Sequence, residues 1–126
     1  MIKTVDIEIW GRKFSLNIYY VCYKDEELLQ EQVDSMNRLL TNQQWLTNAK
    51  NIVEEYCKVE VLEDNENQKK ENIFSYIHPD SFFVERDNNP PLVGLMCSYR
   101  YDPEHGLAVV FDSQGNVTVG PQDIIL

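Results

Sequence analysis

Apolar and polar residues alternate in two runs near the start of the chain. Val5, Ile7 and Ile9 alternate with Thr4, Asp6 and Glu8. Phe14, Leu16, Ile18, Tyr20 and Cys22 alternate with Lys13, Ser15 and Asn17. A period of two is that of a strand with one buried face. Gly11-Arg12 lies between the runs as a Gly-X pair suited to a type II′ turn. A two-residue loop there sets Ile9 opposite Phe14, Ile7 opposite Leu16 and Val5 opposite Ile18, with every pair on one face. The period then changes. Leu29, Val33, Met36 and Leu40 fall at helical spacing and predict one apolar stripe. Asp25 is placed to cap that helix, and Glu26 and Glu27 suit the positive end of its dipole. Thr41 and Gln44 have the spacing of a capping box, with Leu40 and Trp45 placed to staple across it. A second helix carries Trp45, Ala49, Ile52 and Tyr56 on one stripe, widened by Leu46, Val53 and Cys57. No Gly or Pro marks its end, and Glu63 to Asn72 reads as a polar loop.

Ile73 to Ile77 reads as a helical turn ending before Pro79, because the residue preceding a proline avoids the α region. Ser81 to Glu85 reads as a strand and Asp87 to Pro91 as a turn. From Val93 the odd positions Leu95, Cys97, Tyr99 and Tyr101 form one face of a further strand. Leu107 to Phe111 is apolar on both sides, which predicts a central strand. Asp112 to Asn116 is a turn leading to Val117 and Val119. Five-residue loops would set Tyr101 opposite Leu107, Tyr99 opposite Val109, Phe111 opposite Val117 and Val109 opposite Val119. Gly120-Pro121-Gln122 interrupts the ladder. Together these elements predict a single α+β domain over residues 1–126. Its sheet is mostly antiparallel, an N-terminal hairpin plus a C-terminal meander, with a helix pair packed on one face.

Composition narrows the partners. Eleven basic and 21 acidic residues give 11 − 21 = −10. Such a surface repels phosphate backbones and anionic lipid, which argues against nucleic acid and membranes and favours a basic protein partner or simply solubility. Cys22, Cys57 and Cys97 sit in apolar segments at no metal-like spacing. An odd set of buried thiols points to a reducing, cytoplasmic setting. The first six residues do not read as a signal peptide, and no apolar run is long enough to span a membrane.

Candidate chemistry is concentrated in Asp102-Pro103-Glu104-His105-Gly106, which brings two acids and an imidazole together. One reading is an acid/base or metal site with His105 as base or ligand, Asp102 or Glu104 beside it, and Asp123 placed to orient the ring. The other is a hairpin turn, in which Asp102 bonds the backbone ahead, Pro103 presets φ and Gly106 takes a left-handed conformation. His78-Pro79-Asp80 holds the other histidine. The cysteines lack any nucleophile context, and no glycine-rich phosphate loop is present, so neither a resident metal nor a cofactor is expected. Acidic residues gather in the helical half, Glu54, Glu55, Glu60, Glu63 and Asp64 among them. They read either as a solvated face or as a docking surface. Trp10 and Tyr19, on the outer side of the first hairpin in this register, read either as hot spots of such a surface or as aromatics lying under the long polar loop.

Tyr101-Asp102-x-Glu104-His105-Gly106-Leu107 followed by Val119-Gly120-x-Gln122-Asp123-Ile124 resembles the closing signature of an uncharacterised family of small bacterial domains of unknown function. Gln32 and the helical stretch ending Glu55-Tyr56 are similar in placement. The resemblance implies a bacterial cytoplasmic protein of the kind suspected as an immunity or accessory factor beside secreted toxins. It carries over no catalytic residues. The expected function is a non-enzymatic acidic protein-binding module with a basic partner. The alternatives are a small hydrolase or metal-dependent enzyme built on Asp102, Glu104 and His105, and a structural subunit of a larger assembly.

Overall fold

The computed structural model describes residues 2–57 and 73–126. Strand β1 (Ile2–Ile9) turns into β2 (Arg12–Tyr20), and two helices follow, α1 (Gln30–Thr41) and α2 (Gln44–Cys57). A 3-10 turn at Ile73–Tyr76 leads into β3 (Ile77–Val84). The meander is β4 (Val93–Tyr99), β5 (Leu107–Phe111) and β6 (Val117–Gly120), and a second 3-10 turn spans Gln122–Ile124. The strands form one sheet in chain order, β1-β2-β3-β4-β5-β6. Every neighbouring pair is antiparallel except β2 and β3, which run parallel with Ile18 beside Phe82 and Tyr20 beside Val84. A parallel pair needs a crossover, and the helices are carried by that crossover. The α+β class read from the sequence is the one the chain adopts.

The first hairpin keeps its predicted face but not its turn. Ile9 pairs with Arg12, Ile7 with Phe14 and Val5 with Leu16, so the turn residues are Trp10 and Gly11 rather than Gly11 and Arg12. Both have positive φ, 51° and 85°. That is the type I′ geometry whose twist matches the flanking strands, and Gly11 takes the second position without strain. β3 begins four residues earlier than predicted and runs through Pro79, with a register shift between Pro79 and Ser81. Pro79 lies outside the segment that pairs with β2, so its missing N–H breaks no bond on that side.

The β5–β6 hairpin has the predicted register, Phe111 opposite Val117 and Val109 opposite Val119. The β4–β5 hairpin does not. Cys97 pairs with Leu107 and Leu95 with Val109, while Tyr99 pairs back to Ile77 of β3. The shift is even, so inward residues stay inward. The connection is longer than five residues because its backbone closes on itself, Asp102 N–H to Tyr99 O at 3.1 Å and Gly106 N–H to Asp102 O at 2.8 Å.

The helix boundaries also differ. Asp25 sits at φ 66° in a turn closed by Glu26 N–H to Tyr23 O, and α1 starts five residues later. Thr41 does not cap α2. It ends α1, donating its hydroxyl to Arg38 O, and Asn42 O accepts the Trp45 N–H instead. The buried stripes are Gln32, Ser35, Met36 and Leu39 on α1, and Leu46, Ala49, Val53 and Cys57 on α2, whereas Ile52 is exposed. These stripes meet Ile7, Ile9, Leu16, Ile18, Phe82, Leu95, Val109 and Phe111 in one core. On the other face of β4 and β5, Met96, Ala108 and Val110 pack under Phe83, Leu92 and Ile125. Coverage on both sides is why Leu107–Phe111 is apolar throughout.

Two buried polar side chains hold the far end of the β2–β3 seam. Gln32 is fully buried. Its Nε2 donates to Val21 O at 2.9 Å, Val84 O at 3.3 Å and Glu85 O at 3.4 Å, and its Oε1 accepts the Leu29 N–H at 3.1 Å. The Glu85 carboxylate accepts the N–H groups of Asp87 at 2.7 Å, Asn88 at 3.0 Å and Leu92 at 2.6 Å, shaping the β3–β4 connection. A buried polar group that loses its partner costs about 1–3 kcal/mol. Gln32→Leu is therefore predicted to lower the unfolding free energy by ~2–4 kcal/mol in urea titration, despite its added apolar surface, since it strands several such groups. A variant as stable as the parent would show that these bonds carry little.

Candidate functional site

The turn that follows β4 holds the residues the sequence singles out. Asp102 Oδ1 lies 3.0 Å from His105 Nδ1 and accepts the His105 backbone N–H at 3.4 Å. Gly106 adopts φ 65°. A Cβ there would stand 2.7 Å from Gln122 Nε2 and 2.8 Å from Cys97 O, closer than real contacts allow, so glycine is required both for conformation and for space. Gln122 donates from Nε2 to Cys97 O at 3.0 Å and from its backbone N–H to His105 O at 3.0 Å. The two halves of the C-terminal signature thus interlock: the turn presents a carbonyl and a glycine gap, and Gln122 fills both.

The imidazole of His105 is exposed, and its pKa is raised above the ordinary histidine value. The hydrogen bond the ring donates to Asp102 is the largest cause and the charge of Asp102 the next, with Glu104 and Asp123 adding to it. Asp123 therefore lies within electrostatic reach of the ring, while direct contact is made by Asp102. Among the described residues, no group of three or more His, Cys, Asp or Glu is placed to hold a metal ion.

His78 belongs to a separate group at the start of β3. Its Nδ1 lies 2.9 Å from Asp80 Oδ1, and the Ser98 hydroxyl donates to Asp80 Oδ2 at 2.5 Å. Serine and histidine address opposite oxygens of one carboxylate, which is not the serine-to-imidazole contact a nucleophile needs. Cys97 is buried and its thiol is pushed far up by that burial. Cys57 is raised as well, first by burial, and is the polar neighbour of the buried Tyr99 hydroxyl. Cys22 lies just beyond β2 and is half-buried rather than on an inward strand face.

The acidic and aromatic candidates separate. Glu54 is half-buried and Glu55 exposed on α2, and Glu60, Glu63 and Asp64 lie outside the described residues. Trp10 is not an outward-facing aromatic. Its positive φ turns the indole back over the sheet end, where Nε1 donates to Leu46 O at 2.8 Å and the ring packs 4.8 Å from Phe74. Tyr19 does face outward, with its hydroxyl near Asn17 Nδ2. Asp25, Glu26, Glu27, Glu31 and Asp34 form an exposed carboxylate surface at the β2–α1 connection, with exposed Tyr23 beside them. Arg86 ties this surface to the β3–β4 connection, bonding Glu26 Oε2 at 2.7 Å and Glu27 O at 2.9 Å, and Tyr23 donates to Asp87 Oδ1 at 2.8 Å. Sequence reasoning did not anticipate Glu85, Arg86 or Arg12 as organising residues. The signal available was a charge at the edge of an apolar run, at Glu85-Arg86 after Val84.

Fold and site together define a small α+β domain, a six-stranded sheet under a helix pair, whose signature residues interlock a turn with the C-terminal segment. The chain belongs to the family described as Domain of unknown function (DUF6985), whose model matches residues 2–126. No curated protein and no solved structure gives a significant match. No described helix is long and apolar enough to cross a membrane.

Two outcomes follow from the turn. Asp102→Asn is predicted to bring the His105 pKa down toward the ordinary ~6.5, read by NMR titration of the ring signals. With a raised folded pKa, the stability contributed by this pair is fully present below the unfolded value of ~6.5 and is lost as pH rises through the folded value. Gly106→Ala is predicted to destabilise by ~1–3 kcal/mol in denaturant titration, through left-handed strain and the clash with Gln122.

Proposed function

We propose that this chain is a non-enzymatic, single-domain acidic module that docks on a basic protein surface. The observation that carries the reading is the carboxylate surface of Asp25, Glu26, Glu27, Glu31 and Asp34. It stands on a connection braced by Arg86, Gln32 and Glu85. A net charge of −10 adds long-range attraction for a cationic partner and raises the encounter rate. Tyr23, 48% exposed among these carboxylates, is an aromatic suited to anchoring a contact. In its specific form, the reading is a bacterial cytoplasmic protein that neutralises or accompanies a basic toxin, as the C-terminal signature suggests. The Asp102–His105 turn serves as scaffold in this reading, since Asp102 bonds His105 within the turn and Gly106 makes room for Gln122 at the sheet end.

The test is cross-linking of the tagged protein in its own cells, followed by binding kinetics with the partner identified. The expected partner is basic, and the triple reversal Glu27→Lys, Glu31→Lys, Asp34→Lys is predicted to slow association by about tenfold or more at low salt. Failure to retain a partner, or a partner whose association ignores both salt and charge reversal, would refute the docking surface.

A further inference from the structure

At the opposite end of the sheet, where β2 and β3 begin and β4 ends, two arginines line one groove. An open groove of about 410 Å³ is lined there by Arg12, Tyr76, His78, Ser98, Arg100 and Pro103, among others. Arg12 is anchored through Nη2, which donates to Phe74 O at 2.9 Å and Ile77 O at 2.8 Å, and its guanidinium lies 5.3 Å from the Phe14 ring centre. Arg100 lies 5.3 Å from the Tyr76 ring centre, and its guanidinium donates to no protein acceptor among the described residues. Neither arginine has a carboxylate partner among those residues. The nearby carboxylate of Asp80 is already occupied on both oxygens, by His78 and Ser98. With Nδ1 engaged, His78 has Nε2 left to meet a ligand.

In a chain of net charge −10, two arginines without acid partners among the described residues, each held against an aromatic ring, require an explanation. Solvation alone would leave these long side chains free. Here their rotamer freedom is already restricted, as in a preorganised oxyanion site. We infer that the groove is a binding site for a small-molecule phosphate monoester. The charge of Arg12, whose Nη2 is already bonded, the open fork of Arg100 just after β4 and an imidazole nitrogen on β3 suit the three terminal oxygens of a phosphate better than a planar carboxylate. A nucleic acid is disfavoured because successive phosphates would have to track an acidic surface, whereas a single phosphoryl group meets only the local cations. Ring faces and Pro103 beside the arginines suit an apolar or aromatic substituent on the ester. This site lies at the other end of the sheet from the proposed protein-docking surface and does not depend on it.

The experiment is a titration of the whole protein, followed by 1H–15N NMR of backbone, arginine Nε and histidine ring signals. Inorganic phosphate, phenyl phosphate and benzoate are added at matched ionic strength. Saturable shifts at Arg12, Arg100 and His78 are expected for phosphate and phenyl phosphate, with the ester binding more tightly. Arg100→Gln, which removes no hydrogen bond or ion pair to a described residue, is expected to weaken binding by about tenfold, and Arg100→Lys is not expected to restore it because the fork is lost. Shifts that stay linear to about 10 mM, or that map outside the groove, overturn the site. Benzoate binding as tightly as phenyl phosphate overturns the assignment to phosphate.

Discussion

The Gln32 amide is the constraint on which the architecture turns. A parallel pair of strands cannot be closed by a hairpin, so β2 and β3 need a connection that leaves the sheet, crosses it and returns. The carbonyls of Val21 and Glu85 lie just where the first helix must begin, beside that of Val84, which already accepts the Val21 N–H. One fully buried side chain from that helix meets all three and also accepts the Leu29 N–H at the helix entrance. Buried amides are tolerated only when so satisfied, and a satisfied one fixes position in a way an apolar contact cannot. Glu85 extends the same logic by one residue, gathering three N–H groups of the loop that reverses the chain into β4.

The other end of the sheet is closed by a different device. Gly106, Gln122 and the Cys97 carbonyl fit together so closely that no larger residue can stand at position 106. Ile125 and Ile124 then lie against Gly94 and Gly120, covering the face of the meander that the helices leave bare. Gly106 and Gln122 of the C-terminal signature therefore have a structural purpose. About this frame, exposed acids cluster by the Gln32 end, where Arg86 holds Glu26, and Arg12 and Arg100 line a groove at the end where β2 and β3 start.

Periodicity was the legible part of the sequence. Alternation identified the inward faces of both hairpins, and the parity of a strand survives an even register shift, which is why Ile7 and Val109 face the core although the turns at Trp10 and Asp102 differ from expectation. Parity cannot count loop residues. Whether Gly11 stands first or second in a turn depends on twist, and whether Tyr99 pairs with Val109 or with Ile77 depends on a strand that comes from elsewhere in the chain. Helix starts were missed for a related reason. Asp25 and Thr41 have capping chemistry, but the entrance to α1 is set by Gln32 reaching back, and Asn42 serves both helices. The aromatic read as outward-facing, Trp10, turned inward because its N–H found the Leu46 carbonyl across the core. Arg12 and Arg100, far apart in the chain, carry no local signal that they share a groove.

If the Gln32–Glu85 network is what joins the crossover to the sheet, it should open only when the sheet opens. Native-state hydrogen exchange measures this directly. The account predicts that the amides of Val21, Leu29, Asn88 and Leu92 exchange with the same opening free energy as those of β4 and β5, rising and falling together with denaturant. Leu29 and Leu92 exchanging at loop rates while β4 and β5 remain protected would contradict it.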